Sequence, residues 1–286
     1  MNNKLSSVWQ SSQFMSKQDY EVNLYSDRYF KTVEMHSHDF FEIYCFIRGS
    51  VDYIVENGKY HLVPGDILLI PPNFLHQPNI KDPTKTYDRI VLWLNAKYVK
   101  RISSEKTDLS TCFEMASKKG AYLVNNNALS EVVKKELLEL INCSTTPSFG
   151  SDIIAENHIK NVLAYLGNYY ILAPQSRPAQ QGKLVSEAIK FINENLSSPL
   201  SLDTLAEKLF ASKYHVAHLF KEEIGISPHS YIIKKRLLLA KKLIENGQPI
   251  TEVYQRCGFA DYTHFFRSFK NEFGLTPKQY FHLIMG

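Results

Sequence analysis

Short apolar runs separated by turn residues dominate the first hundred residues, and this pattern is typical of β-strands. The run from Phe41 to Ile47 is rich in β-branched and aromatic residues. Similar runs follow at 51–55, 60–63, 67–70 and 90–94. The Asn57-Gly58 pair lies between two of these runs and is a strong hairpin signal. Many short strands with closely spaced turns predict an antiparallel sandwich or barrel at about residues 20–100.

A second pattern begins at Leu129, where the apolar residues take the spacing of one face of a helix. The two stripes with this spacing are Leu129, Val132, Val133, Leu137, Leu140 and Ile141, then Ile153, Ile154, Val162, Leu163, Leu166, Tyr169 and Tyr170. Two amphipathic helices after a barrel can cover it, or they can form the seam of a dimer. We prefer the dimer seam, and the covering role stays open.

The polar segment 173–182 contains two prolines and no apolar periodicity, so it predicts an interdomain linker. From residue 183 the pattern is helical throughout, with glycines as stop signals and capping residues at the breaks. The predicted parts of the chain are a barrel at 1–127, a helical segment at 128–173, a linker at 174–182 and a helical domain at 183–286.

The helical domain contains an internal repeat, because a shift of 49 positions places it on itself. The segment Phe220–Pro228 matches Phe269–Pro277. One residue of slippage further upstream aligns Leu205-Ala206 with Val253-Tyr254. Two copies of one supersecondary unit are therefore present.

Each copy reads as a short helix, a tight turn and a second helix, at about 201–225 and 249–274. In each second helix one face is apolar and the opposite face is mostly polar. The outward face carries Lys213, Tyr214, Ala217 and His218 in the first copy and Tyr262, Thr263, Phe266 and Arg267 in the second. A helix of this kind suits entry into the major groove of DNA. The alternative, a small bundle with an ordinary solvated face, is disfavoured by the duplication.

The helix predicted between the copies contains two basic clusters, Lys234-Lys235-Arg236 and Lys241-Lys242. This helix spans roughly 25 Å, so the two second helices can lie one DNA turn (~34 Å) apart on one face. We expect the basic residues to lie near phosphates. A solvated charge run remains the alternative for Lys241 and Lys242.

Charge and composition agree with a nucleic-acid partner but do not require one. The net charge of +4 comes from residues 183–286, where Lys and Arg number 14 and Asp and Glu number 10. No apolar run approaches the ~18–20 residues of a membrane span, and the polar N-terminus does not resemble a signal peptide. The cysteines, which form no C-x-x-C pair, are Cys45, Cys112, Cys143 and Cys257. These features predict a cytoplasmic protein with reduced thiols and no membrane partner.

The second copy carries a long motif, and the residues of this motif are Gly258-Phe259-Ala260-Asp261-Tyr262-Thr263-His264-Phe265-Phe266-Arg267, Phe269-Lys270, Gly274-Leu275-Thr276-Pro277 and Tyr280. This motif resembles the signature of the arabinose-regulator (AraC/XylS) family of transcription factors, and the resemblance covers roughly the last hundred residues. It implies a DNA reader with two helix-turn-helix units, usually an activator. Three residues depart from the family pattern: Phe210 replaces a turn glycine, Tyr254 a small alanine, and Phe266 a small or polar residue.

A group of polar residues near the N-terminus resembles the two motifs of the cupin fold. The residues that carry this resemblance are His36, His38, Glu42 and Gly49, then Gly65, Pro71 and His76, with Asn73 in place of a glycine. In cupins, two histidines, a glutamate and a later histidine converge on a divalent metal inside a β-barrel. Imidazoles and one carboxylate suit Fe, Mn, Ni or Zn.

Three interpretations of this group stay open: contact with an effector, metal binding, and a structural role. In regulators with this C-terminal half, the cupin barrel typically serves as an effector pocket, so effector contact is preferred and no cofactor is assigned. The predicted effector-binding residues are His36, His38, Glu42, Tyr44, His76 and Trp93, with Tyr53 as a further aromatic face. The less favoured metal ligands are His36, His38, Glu42 and His76. A catalytic cupin is the enzyme alternative, and the fused DNA-reading half argues against it.

The sequence therefore predicts an α+β protein of two domains: a cupin-like β-barrel with a helical dimerisation segment, then an all-α double helix-turn-helix domain. We expect a transcription activator, not an enzyme, with double-stranded DNA, a small-molecule effector such as a sugar, RNA polymerase and a second copy as partners. The predicted DNA contacts are Lys213, Tyr214, Ala217, His218, Lys221, Tyr262, Thr263, Arg267 and Lys270. Ser212 and Asp261 are assigned to helix N-capping.

Overall fold

A computed structural model of the chain describes residues 15–30, 33–56, 58–172 and 182–285. The chain divides into two compact units, one up to residue 180 and one from residue 181. The first unit is built from strands and helices, and the second is entirely helical over its described residues. The predicted α+β class with these two parts is confirmed.

The N-terminal unit contains two antiparallel sheets. Its strands are β1 (Tyr20–Asp27), β2 (Phe41–Arg48), β3 (Val51–Val55), β4 (Gly58–His61), β5 (Ile67–Ile70), β6 (His76–Ile80), β7 (Tyr87–Leu94) and β8 (Leu123–Val124). Five strands form one sheet in the order β1-β7-β2-β5-β8, and the other three form a sheet in the order β4-β3-β6. Side chains from both sheets meet in one core, where the rings of Tyr44 and Tyr53 lie 4.9 Å apart.

Three strands and two helices of this unit have no counterpart in the predicted elements. The strands are β1, β6 and β8, and the helices are α1 (Ala96–Ile102) and α2 (Thr111–Lys119). Strand β6 contains no apolar run that would predict a strand, because its sequence is His-Gln-Pro-Asn-Ile. Pro78 lacks a backbone donor, which is tolerated because β6 is an edge strand of its sheet. The hairpin predicted at Asn57-Gly58 forms between β3 and β4, although Asn57 lies outside the described residues.

The helical segment of the N-terminal unit consists of α3 (Asn127–Thr145) and α4 (Ser151–Leu172). The buried side chains of these helices belong to the core of the unit, so one face of each covers the sheets. Ile153 and Ile154 do not belong to the buried stripe as predicted, because the stripe runs through Ala155 and Ile159 and leaves both isoleucines exposed. No helix in the described ranges is long and apolar enough to cross a membrane.

The C-terminal unit consists of seven helices over its described residues, and the linker predicted at 174–182 lies outside them except for Gly182. The helices are α5 (Lys183–Glu194), α6 (Leu202–Lys208), α7 (Lys213–Ile224), α8 (Pro228–Glu245), α9 (Ile250–Arg256), α10 (Tyr262–Phe273) and α11 (Pro277–Met285). Helices α7 and α10 end at Gly225 and Gly274, which have positive φ, in agreement with the predicted ends of the two units. Both helix-turn-helix repeats are present.

The predicted phosphate role of the α8 basic residues is wrong for Arg236 and Lys241, which are both 7% exposed. The guanidinium of Arg236 donates to the carbonyls of Leu196 (3.0 Å) and Ser198 (2.7 Å). The ammonium of Lys241 lies 5.8 Å from the ring centres of Phe273 and Tyr280. Helix α8 packs against α7, α9, α10 and α11, so part of its basic face is interior.

Candidate functional site

The first helix-turn-helix unit holds α7 in place by its cap and by its apolar face. Ser212 is the N-cap residue, and its hydroxyl accepts a hydrogen bond from the backbone N–H of His215 (3.3 Å), as predicted. Val216 and Phe220 are fully buried. This anchoring fixes which side of α7 faces solvent.

The predicted contact residues of α7 occupy its outer side. Tyr214 is 79% exposed, Lys213, His218 and Lys221 are exposed, and Ala217 is half-buried. The ammonium of Lys213 lies 3.3 Å from a carboxylate oxygen of Asp203 on α6. This surface ion pair leaves the Lys213 side chain about half exposed and available for exchange with a phosphate or a base edge.

The second helix-turn-helix unit repeats the arrangement in α10. Asp261 is the N-cap residue, and its carboxylate accepts from the backbone N–H of His264 (2.7 Å), which confirms the predicted capping role. Phe265 and Phe269 are fully buried. The exposed side of the helix carries Tyr262, Thr263, Arg267 and Lys270.

Two of the residues that depart from the family pattern pack beside this exposed side. Phe266 is half-buried, and its ring centre lies 6.0 Å from that of Tyr262. Tyr254 of α9 is also half-buried and meets the same Tyr262 ring edge-on at 5.8 Å. Aromatic packing therefore holds Tyr262 from two directions and restricts the orientation of its hydroxyl.

In the N-terminal unit, the predicted polar group forms a buried cluster. The carboxylate of Glu42 lies on β2, and its Oε2 atom is 2.9 Å from His38 Nε2 and 4.0 Å from His76 Nε2. The indole N–H of Trp93, on the neighbouring strand β7, donates to the same oxygen (3.0 Å). His38, Glu42 and His76 can hold a metal ion, since one ligand atom from each lies within 4.8 Å of the others.

The backbone around the cluster explains why residues distant in sequence converge. His36 pairs with His76 by two backbone hydrogen bonds (3.1 and 2.9 Å), and their ring centres lie 4.1 Å apart. Asn73 takes the left-handed conformation expected of the glycine it replaces (φ +64°). Its N–H donates to the carbonyl of His38 (2.7 Å) and ties the loop before β6 to this histidine.

Burial controls the protonation of the cluster. It lowers the pKa of His76 to about 4, so this imidazole is neutral near pH 7. Burial also raises the pKa of the Glu42 carboxyl, but the hydrogen bond and charge of His38, with smaller effects of His76 and Trp93, outweigh it. The net pKa of Glu42 is therefore below its usual value, and the cluster contains a buried carboxylate.

The two predicted tyrosines extend the cluster into the core. Tyr53 stacks on His76 with ring centres 6.4 Å apart. The hydroxyl of Tyr44 lies 2.7 Å from that of Tyr87, a residue that the sequence reasoning missed. Tyr87 begins β7 and is followed by Asp88 and Arg89, so it lies ahead of the apolar run at 90–94 and the pattern does not mark it.

Comparisons with known proteins agree with both halves of this description. A family model for the "AraC-like ligand binding domain" matches residues 23–163, and one for a "Helix-turn-helix domain" matches residues 205–282. The multiple antibiotic resistance protein MarA of Escherichia coli is 36% identical over 97 residues, which cover 34% of this chain and 76% of MarA.

Two further relatives cover different shares of the chain. The probable transcriptional regulator LumQ of Photobacterium leiognathi is 36% identical over 91 residues, or 32% of this chain, and the match spans only 37% of LumQ. The transcriptional activator RhaS of Mannheimia succiniciproducens is 25% identical over 251 residues, which cover 85% of this chain and 87% of RhaS. The chain therefore belongs to the AraC family and is a DNA-binding transcription regulator with a ligand-binding domain.

Proposed function

We propose that the chain is a sequence-specific transcription activator that a small-molecule effector controls through the N-terminal unit. The observation that carries the proposal is that α7 and α10 expose the same kind of surface in the two helix-turn-helix units. In each helix-turn-helix unit, a capped second helix buries one apolar face, with Val216 and Phe220 in α7 and Phe265 and Phe269 in α10, and exposes a mostly polar face. A helix held in this way suits insertion into a major groove.

The two exposed faces offer some side chains for contacts with bases and others for contacts with phosphates. In α10, the Arg267 guanidinium is the best donor for a guanine, because its fork matches the O6 and N7 acceptors. Lys221 and Lys270 lie in the last turns of α7 and α10, where each would contact phosphates. The remaining proposed contacts are Lys213, Tyr214, Ala217 and His218 in α7 and Tyr262 and Thr263 in α10.

Selection from a random duplex library by the full-length protein tests this function. We expect enrichment of one sequence, bound in the nanomolar range with an affinity that falls steeply as salt rises. Replacing Lys213 and Arg267 by alanine should abolish the preference. Lys278→Ala, which removes an exposed cation from α11, should keep it. If no sequence is enriched, the proposal is wrong.

The cluster in the N-terminal unit supports an effector with several polar groups. Of the six predicted effector-binding residues, five are buried, and Trp93 remains partly exposed. A sugar is the first class to test, because its hydroxyls can bond to imidazole and carboxylate while a ring face packs on the indole. Native mass spectrometry of the purified protein would identify a retained ligand. Thermal shifts that are equal for all sugars would exclude this class.

Activation requires the effector to favour one arrangement of the chain over another. Similarity to an activator such as RhaS supports recruitment of RNA polymerase. In transcription with purified polymerase, we expect the effector to increase transcript from a template that carries the selected site. A decrease in transcript would instead make the protein a repressor.

Apolar side chains on the outer side of α4 support a homodimer. The exposed members are Ile153, Ile154, Tyr165, Ile171 and Leu172. Sedimentation of the full-length protein tests the pairing. Ile154→Asp should shift the protein toward monomer, whereas Val63→Asp, at another exposed apolar position of the same unit, should not. A wild-type protein that sediments as a monomer at every concentration would exclude the homodimer.

A further inference from the structure

We propose that a cavity between the two helix-turn-helix units binds a small organic anion, namely a carboxylate with an apolar body. The cavity has a volume of about 480 Å³, which lies in the range of small-molecule sites (about 300–1,000 Å³). All the residues that line it belong to the C-terminal unit, so it is separate from the effector site proposed above. Only the effect of this anion on DNA binding rests on the proposed function.

Residues from both helix-turn-helix units line the cavity. Ser201 and Thr204 lie at the start of α6 in the first unit. Phe259 and His264 lie in the turn and in the first turn of α10 in the second unit. Helix α8, which joins the two units, contributes Arg236. A ligand in the cavity would therefore contact both units at once, close to the start of one helix that is proposed to read DNA.

A buried guanidinium gives the cavity its charge. Arg236 is only 7% exposed. Its Nε and Nη2 atoms donate to the carbonyls of Leu196 and Ser198, so both of these hydrogen bonds go to uncharged groups. Burial lowers the pKa of Arg236, and the thiol of Cys257 offsets this shift only in part. A positive charge that is held out of water beside uncharged groups favours an anion as its partner.

The remaining donors of the cavity suit a carboxylate. The Nη1 atom of Arg236 makes no hydrogen bond to any residue that the structure describes. A guanidinium with Nη1 available can donate to a carboxylate through two parallel hydrogen bonds. The imidazoles of His229 and His264 also line the cavity, and each can donate a further hydrogen bond.

The apolar part of the lining favours a small molecule over a phosphate of the DNA backbone. Pro199, Leu200 and Ile232 lie around the same cavity as the polar groups. Apolar surface of this kind binds an apolar ligand body and does not stabilise a phosphate. Arg236 is also too buried to contact the backbone of a duplex. A carboxylate on an aromatic ring or a short chain meets both requirements, and benzoate is a suitable probe.

Calorimetric titration of the full-length protein with benzoate, and with the neutral amide benzamide as the matched ligand, tests the site. We expect saturable binding of benzoate and binding of benzamide that is about 10-fold weaker or more, because hydrogen bonds between charged groups are the stronger ones. In NMR spectra, benzoate should shift the ring signals of His229 and His264. The signal of His282, which is exposed on α11 and does not line the cavity, should stay unchanged.

Two variants of Ile233 separate charge from shape. Ile233 lines the cavity and lies one turn before Arg236 on α8. Ile233→Glu places a carboxylate next to the guanidinium, so it should weaken benzoate binding by about 10-fold or more relative to Ile233→Gln, which has the same shape without the charge. If neither variant folds, the exposed His264 offers another test. His264→Ala should weaken binding by about 3-fold or more, and His282→Ala should leave it unchanged.

The proposal is overturned if benzoate does not bind, if benzamide binds equally well, or if the two Ile233 variants bind benzoate with equal affinity. Benzoate that shifts only histidine signals of the N-terminal unit would also overturn it. If benzoate does not bind and Ile233→Glu alone weakens binding to all duplexes, the cavity holds a DNA phosphate instead. The duplex selection described above separates this proposal from the proposed function. Benzoate binding without selection of a duplex would keep the cavity site and remove the regulator, and selection without benzoate binding would do the reverse.

Discussion

The turns of the two helix-turn-helix units have the same backbone and different residues. Phe210 occupies the turn of the first unit with φ +51°, and Gly258 occupies the turn of the second with φ +81°. The equivalent hydrogen bonds, N–H to carbonyl, are Phe210 to Glu207 and Ala211 to Ala206, then Gly258 to Gln255 and Phe259 to Tyr254. The duplicated sequence therefore preserves a conformation even where it does not preserve the residue.

The surroundings explain why only one of the turns accepts a side chain. Phe210 is 97% exposed, so its ring meets little protein and the cost is mainly that of a positive φ. A Cβ atom on Gly258 would lie 2.3 Å from the carbonyl oxygen of Leu196 and 2.9 Å from the guanidinium of Arg236. Packing around the second turn, rather than the turn itself, makes glycine necessary there.

The largest expected effect on stability comes from adding a methyl group at the turn of the second unit. Gly258→Ala should destabilise the C-terminal unit by about 3 kcal/mol or more, because it combines backbone strain with a clash. The matched change Phe210→Gly should alter stability by less than about 1 kcal/mol, since relief of strain offsets the entropy of glycine. Both tryptophans lie outside this unit, so amide hydrogen exchange in α9 and α10 is the suitable measurement. Equal protection in the two variants would contradict this account.

A second test removes the neighbour that crowds Gly258. Arg236→Lys should cost about 2–3 kcal/mol, because the guanidinium reaches the Leu196 and Ser198 carbonyls from two separate nitrogens and lysine has only one. The same exchange measurement applies to the segment 195–200. Lys242→Ala, at an exposed position on the same helix, should change stability by less than about 0.5 kcal/mol. A similar loss in both variants would contradict the assignment of this cost to the two hydrogen bonds of Arg236.

Elements with local signals could be predicted, and those fixed by distant packing could not. The run at β2 and the capped helices α7 and α10 were found within a few residues because apolar spacing and cap residues are local. The burial of Arg236 and Lys241 depends on which face of α8 other helices cover, and the sequence shows only a charged run. Strand β6 was missed because its buried side chains include a histidine and a glutamine.

The same division applies to the cluster in the N-terminal unit. The resemblance to the cupin motifs implied that His38, Glu42 and His76 belong together, and the structure brings one ligand atom of each within 4.8 Å of the others. The tautomer of each histidine depends on a carbonyl whose direction follows from the local backbone path. No pattern of residue types contains that information, so the buried Nε2 atom of His76, which has no hydrogen-bond partner among the described residues, became visible only in three dimensions.

The third test compares how the two kinds of DNA contact behave. Arg267→Ala should lose about 2 kcal/mol of discrimination at one base pair, because a guanidinium reads the edge of a guanine. Lys270→Ala, one turn further along α10, should weaken binding to all sequences equally and reduce the salt slope by about 1. Affinity for single-substitution duplexes at several salt concentrations separates the two. If Arg267→Ala weakens binding to all duplexes equally, Arg267 contacts phosphates rather than a base.

The smallest expected difference is between the two N-caps. Asp261→Ala should cost about 1–2 kcal/mol, because it removes a short hydrogen bond (2.7 Å) and a negative charge at the start of α10. Ser212→Ala should cost about 0.5–1 kcal/mol, because its hydrogen bond is longer (3.3 Å) and the hydroxyl is uncharged. Hydrogen exchange in the first turns of α7 and α10 measures both losses. Salt provides the control, since it should narrow the difference by screening only the aspartate. If Ser212→Ala loses more stability than Asp261→Ala, the cap of α7 contributes more to folding than the length of its hydrogen bond indicates. The two copies then differ in stability as well as in their turns.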